Sequence, residues 1–340
     1  MADYMPFTAV QAREYANTAQ RFQLVRELEQ KGRGLRGSMA FRVSRGHEYL
    51  TRWSYGDDDT RAAKLIGRRS PETERIKAEF DAARAALKDR QAGLETALSE
   101  QAALNRAVGL GRLPEIAARI LAALARAGIP RQRFRIAGTH ALYAYEAMAG
   151  VILDEAHTAT QDIDVLIDPR APLRFVVGGD MEDARLLSAI RLADRSFEPT
   201  GQGFRAANRD GFLVDFLRPE RATPWQAEAF EPGQGDLAPA PIAGLAWLES
   251  APVVEPMVID TRGRPVALPV PDPRVYAIHK WWVSRQPGRE RIKARRDALQ
   301  AAAVFHLVRS ELPHLAFDPA HLRMLPGEVV QGALAEFEAG

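Results

Sequence analysis

The run Thr160-Gln161-Asp162-Ile163-Asp164-Val165-Leu166-Ile167-Asp168 sets two carboxylates two residues apart among aliphatic and β-branched residues. Such a run reads as a strand, and side chains at i and i+2 of a strand leave from one face. Asp162 and Asp164 therefore point together, and both acids can grip one metal cluster. Few other stretches of this chain restrict its fold and its chemistry so strongly.

The surrounding sequence supplies the framework. From about residue 133, strand-like and helix-like segments alternate, which points to a core mixing sheet and helix. The pattern predicts a strand over 133–137, a helix over 139–149, the acidic strand over 161–167 and a helix near 181–194. Strands at 203–207 and 212–217 are joined by Asn208-Arg209-Asp210-Gly211, a tight-turn sequence. Residues 219–256 carry seven prolines and read as long connections rather than interior elements. A late hairpin around Thr261-Arg262-Gly263-Arg264 and helices at 274–285 and 289–309 follow. The expected class is α+β, divided into a mostly helical region 1–110 with a small basic β-hairpin, a core 111–250, and a C-terminal domain 251–340 of hairpin and helices.

Composition excludes several classes. Apolar residues make up 46% and charged residues 26%, which rules out a wholly disordered or fibrous chain. No apolar run reaches membrane-spanning length, so no membrane partner is expected. Met1 to Val10 does not read as a secretory leader, and the absence of cysteine excludes disulfides and thiolate metal sites. The expected location is cytoplasmic.

Net charge is only +2, but its distribution is uneven. Residues 20–70 hold twelve Lys or Arg against six Asp or Glu, and residues 274–296 hold eight against one. Either cluster suits a phosphate-bearing partner or forms a solvated basic surface. In the first, Arg33, Arg36, Arg42, Arg45, Arg52 and Arg61 interleave with Phe41, Tyr49, Trp53 and Tyr55. That mixture suits nucleic acid, with arginines for phosphates and rings for bases. The preferred reading gives the same rings to the core of a small sheet. The helical region after it, 72–107, is either a dimerisation arm or a packing platform, and the oligomeric state is open.

The acid pair gains meaning from its company. Asp215 in Phe212-Leu213-Val214-Asp215-Phe216-Leu217 is the best third acid, because an isolated carboxylate on an interior strand is expensive to bury. Three such acids can hold two Mg²⁺ ions about 3.5 to 4 Å apart, one activating an attacking oxygen and one stabilising a leaving phosphate. Upstream, Gly138-Thr139 closes a strand and opens a helix, where backbone N–H groups and the helix dipole favour a phosphate. Thr139 would act as N-cap or donate its hydroxyl to a phosphate oxygen.

Gly138-Thr139, Thr160-x-Asp162-Ile163-Asp164 and Asp215 together resemble the DNA polymerase beta-like nucleotidyltransferase superfamily, and in particular its small bacterial branch that includes abortive-infection type toxins. The tail Pro273-Arg274-Val275-Tyr276-Ala277-Ile278-His279-Lys280 and Arg296-Asp297-Ala298-Leu299 fits the same likeness, which spans about residues 133–300. The resemblance implies a nucleotidyltransferase-fold mixed sheet with flanking helices. It also implies Mg²⁺ or Mn²⁺ held by Asp162, Asp164 and Asp215, phosphate contacts from Lys280, and an orienting role for Arg296 and Asp297. The implied reaction moves NMP from an NTP to an acceptor that is an RNA such as tRNA, a protein or a small molecule. Two features depart from the family pattern: a Gly-Thr turn where Gly-Gly or Gly-Ser is usual, and a longer gap before Asp162 that contains Asp154, Glu155 and His157. The rival is a protein that keeps the fold but binds nucleic acid without catalysis, as a defence-associated regulator. A two-metal phosphohydrolase is disfavoured, because no multi-histidine motif stands near the acids.

Overall fold

The computed structural model describes residues 4–55, 61–129, 131–168, 186–220 and 236–339. The chain forms two compact units, one of residues 1–12, 111–261 and 266–340 and one of residues 13–110 and 262–265. Of the residues from 251 onward, 251–261 and 266–340 fall in the first unit and 262–265 in the second.

The first unit is built on a six-stranded sheet. Its strands run in the order Phe134–Ile136, Asp162–Ile167, Leu213–Pro219, Arg205–Ala207 and Glu198–Pro199, with Ala240–Ile242 added beside Leu213–Pro219. Asp162–Ile167 lies parallel to Leu213–Pro219 and antiparallel to Phe134–Ile136, so the sheet is mixed and the fold is α+β as expected. Paired on both edges, the acidic strand buries Ile163, Val165 and Leu166 almost completely.

Helices cover this sheet by burying apolar faces. Glu115–Arg126 buries Ala117, Ile120, Leu121 and Leu124, a helical repeat that ends at Gly128, whose φ of +80° a glycine tolerates best. Pro273–Ser284 is buried throughout its first eight residues and packs against Arg291–Glu311. The buried face of Arg291–Glu311 runs through Asp297, Gln300, Ala301, Val304 and Val308. It is apolar toward the C-terminus and polar at its start.

Several elements differ from the sequence reading. Tyr4–Pro6 pairs with Val151–Leu153, two strands too short to announce themselves by alternation. The loop with Asp154, Glu155 and His157 contains a short helix, Glu155–Thr158, with the Asp154 carboxylate accepting from the Ala156 N–H. Within the proline-rich stretch, residues 221–235 lie outside the described residues, but Ala240–Ile242 joins the sheet and Leu245–Ser250 is helical. Pro241 is tolerated because that strand sits at a sheet edge. Of the helix expected over 181–194, Leu186–Arg191 is present, and 181–185 lie outside the described residues.

The second unit joins helical segments to a three-stranded antiparallel sheet, Ser38–Ser44, His47–Tyr55 and Arg61–Arg68. The first two strands are the expected hairpin; the third lacks an alternating pattern. Pro71–Ala107 is one continuous helix, started by a capping box in which Ser70 and Thr73 each accept the other's backbone N–H. Buried polar groups are matched: Thr18 donates to Asn105 Oδ1 at 3.0 Å, Gln101 donates to Glu14 at 2.9 Å, and Asn105 donates to the Gly263 carbonyl at 2.9 Å.

The aromatic residues of this unit serve its packing. Trp53 is buried, and arginines lie over rings: Arg42 over Trp53 at 4.5 Å, Arg52 over Phe80 at 4.4 Å, and Arg69 over Phe41 at 5.0 Å. Arg52 also donates to the carbonyls of Gly34, Arg36 and Trp53. Among the described residues, no helix is long and apolar enough to cross a membrane.

Candidate active site

Strand register fixes the acids. Asp164 pairs with Asp215 and Asp162 with Leu213 across the parallel ladder, so all three carboxylates leave from one face of the sheet. The turn at Gly138 follows the neighbouring strand on the other side, where the Ala137 N–H donates to the Asp164 carbonyl at 3.1 Å. Gly138 leaves space that the Asp164 side chain fills: a Cβ at 138 would stand only 2.7 Å from Asp164 Cγ. Glycine is required here by this contact rather than by an unusual backbone angle.

This crowding shows in the proton affinity of Asp164. Burial pushes it from the ordinary 3.8 up to about 7, and the charges of Asp162 and Asp215 add to the rise against the pull of Lys280 and Arg205. The residue as a whole keeps partial exposure even though its carboxyl packs against the turn. Thr160 donates its hydroxyl to Asp162.

Asp215 is differently placed. Arg205, its partner across the antiparallel ladder, donates from Nε to Oδ1 and from Nη2 to Oδ2, both at 2.6 Å. The fork engages both carboxylate oxygens. Among the described residues, no group of three or more acidic or histidine side chains is arranged to hold a metal ion. Asp162, Asp164 and Asp215 share one face of the sheet, with the Asp215 carboxylate engaged by Arg205. Asp162 and Asp164 do suit a divalent cation, which would relieve the like-charge crowding that lifts Asp164; Asp215 is already neutralised by an arginine.

The turn residues and the tail surround this face. Thr139 is buried and does not cap the helix Ala141–Ala149, whose N-cap position belongs to His140. The Thr139 hydroxyl accepts from Gln300 Nε2 at 3.2 Å, and the same amide donates to the His157 carbonyl at 2.8 Å. Tyr276 donates its hydroxyl to the Gly138 carbonyl at 3.3 Å, which ties the helix Pro273–Ser284 to the turn.

Lys280, expected on phosphate, donates to Asp297 Oδ1 at 2.7 Å, and Arg289 takes Asp297 Oδ2 at 2.9 and 2.6 Å. Burial alone would raise Asp297, but Lys280 and Arg289 outweigh it and hold the carboxyl below its ordinary range. Asp297 thus anchors two cations, Lys280 and Arg289. Lys293 meets Glu290 at 3.2 Å. Arg296 Nε, beside Tyr276, is buried with no hydrogen-bond partner.

A family model described as nucleotidyltransferase matches residues 115–326, a span holding both this sheet face and the helices around it. The chain belongs to that nucleotidyltransferase family. No curated protein and no solved structure matches it. The matched span begins at the helix Glu115–Arg126 of the first unit, so the family resemblance concerns the acidic sheet and not the sheet of the second unit.

Sequence reasoning missed three contributors to this nucleotidyltransferase face. Arg205 and Gln300 carried no signal, since each acts through a partner ten or more positions away. His140 had one: it directly follows Gly138-Thr139. Its ring is buried, lies edge-on to Tyr143 and Phe212, and has both nitrogens unpartnered. Burial pushes it down to about 4 in spite of the nearby Asp162, so the imidazole is neutral.

Proposed function

We propose that the chain transfers NMP from an NTP to an acceptor hydroxyl in a metal-dependent reaction. The observation that carries this reading is the Asp162–Asp164 pair crowded in register against the Gly138 turn. Asp162 and Asp164 would hold Mg²⁺ or Mn²⁺, which when bound neutralises phosphate charge and polarises the phosphate oxygens. Arg296 offers an unpartnered cationic donor to the phosphates, and the turn at Gly138 lets the backbone approach them closely. Lys280 acts at one remove: fixed by Asp297, it brings positive charge to bear on Asp164. The acceptor hydroxyl loses its proton to solvent as its oxygen forms a bond to the α-phosphorus, the bond from that phosphorus to the bridging oxygen breaks, and pyrophosphate leaves with that electron pair. Positioning and charge neutralisation supply most of the rate in transfers of this type.

RNA is the acceptor class best supported. In the second unit a cleft of about 640 Å³ is lined by Arg33, Arg36, Arg84 and Lys88, with Glu29 as the one acid on its wall. That surplus of positive charge suits a polyphosphate backbone. The same cleft favours the rival reading, a nucleic-acid-binding regulator that performs no transfer.

Incubation with each α-labelled NTP, Mg²⁺ or Mn²⁺, and total RNA or cell lysate separates the two. Label transfer to RNA that disappears in Asp162→Ala plus Asp164→Ala supports catalysis, and transfer that survives those changes sinks it. RNA binding without transfer, unaffected by the two substitutions, establishes the regulator instead.

A further inference from the structure

Asp215 stands beside Asp164 in the sheet, yet its carboxylate is closed by a fork from Arg205. Building on the metal-dependent reading above, we propose that Arg205 takes the place of a second divalent cation, so that the chain loads a single ion on Asp162 and Asp164.

Three observations converge on this. First, the contact is bidentate and in register: Arg205 and Asp215 are direct partners across an antiparallel ladder, so two strands hold the pair in place. A fork of this kind is worth more than a single charge contact, because the planar guanidinium matches the carboxylate geometry. Second, Arg205 covers Asp215 from the solvent side, with its side chain 27% exposed against 7% for the acid. An ion approaching Asp215 has to displace it. Third, Arg205 brings to the three carboxylates a positive charge that a second divalent cation would otherwise supply.

The inference requires no turnover to test. Mn²⁺ titrated into the nucleotide-free chain is counted by electron paramagnetic resonance of the free ion, with circular dichroism as a check on folding. Wild type should bind one Mn²⁺, Arg205→Ala should bind two, and Arg205→Ala with Asp215→Asn should return to one. Should Arg205→Ala fold poorly, Arg205→Gln keeps much of the side chain without its charge and should also gain an ion. An equal count in wild type and the charge-removed variant, whatever its value, overturns the proposal, as does a wild-type chain with two ions of which one depends on Asp215. Failure of the underlying metal reading has its own signature: the wild-type ion would persist in Asp162→Asn plus Asp164→Asn.

Discussion

Two carboxylates in the first unit sit in opposite circumstances. Asp297 is fully buried and meets two cations, Lys280 and Arg289, so its charge is complete within the fold. Burial, with the charges of Asp162 and Asp215 adding to it against the pull of Lys280 and Arg205, holds the proton of Asp164 up to about 7. A buried charge satisfied by its own chain is a strut, and removing one partner leaves another stranded. A charge left in like-signed company marks a place where the fold waits for something else. Lys280 links the two regions, bonded to the first and felt by the second.

That contrast is open to experiment. Replacing Asp162 and Asp164 together by Asn should cut label transfer by at least about 10²–10³-fold, the scale on which single preorganised electrostatic contacts matter. The same change should leave the melting temperature level or higher, since it removes repulsion. A large drop in melting temperature would place Asp164 among the struts. Asp297→Ala should do the reverse and lose about 3–5 kcal/mol of stability in urea unfolding, because Lys280 and Arg289 are left without their counter-charge.

Gly138→Ala should have an intermediate effect, about 1–3 kcal/mol, because the new Cβ meets the Asp164 carboxyl. Placing the same change on an Asp164→Ala background should recover most of that loss. An undiminished penalty would show that the turn, and not the contact, needs glycine.

A further effect is expected in the pH dependence of the chain unfolded in the presence of a chelator. Between the ordinary carboxylate value of 3.8 and about 7, folded Asp164 keeps a proton that the unfolded chain has released, so its contribution to stability falls as pH rises. Asp164→Asn should flatten that part of the curve. Asp297 acts with the opposite sign: its contribution is present above the ordinary carboxylate range and is lost as pH falls through its lowered folded value. Asp297→Asn should therefore remove part of the acid limb and leave the neutral limb alone.

How far the sequence spoke depended on distance along the chain. The acidic strand, the glycine turn before it and the long helix Pro71–Ala107 are written in local patterns of alternation, capping and breaks. The third strand of the small sheet and the pairing of Tyr4–Pro6 with Val151–Leu153 are not, because their partners and burial supply what their own residues lack. The interleaved arginines and rings near Trp53 fitted nucleic acid or, as preferred, the core of a small sheet; Trp53 is buried, and Arg42, Arg52 and Arg69 lie over aromatic faces within the unit.

By itself, the sequence determined that Asp162 and Asp164 share a face and that a glycine turn precedes them, since i,i+2 geometry and helix termini are properties of neighbouring residues. Only the tertiary structure decided the company each charge keeps. Asp215 went to Arg205, Asp297 to Lys280 and Arg289, and Arg296 Nε was left without a partner. Those assignments follow from strand register and helix packing, which bring together residues that no local pattern connects.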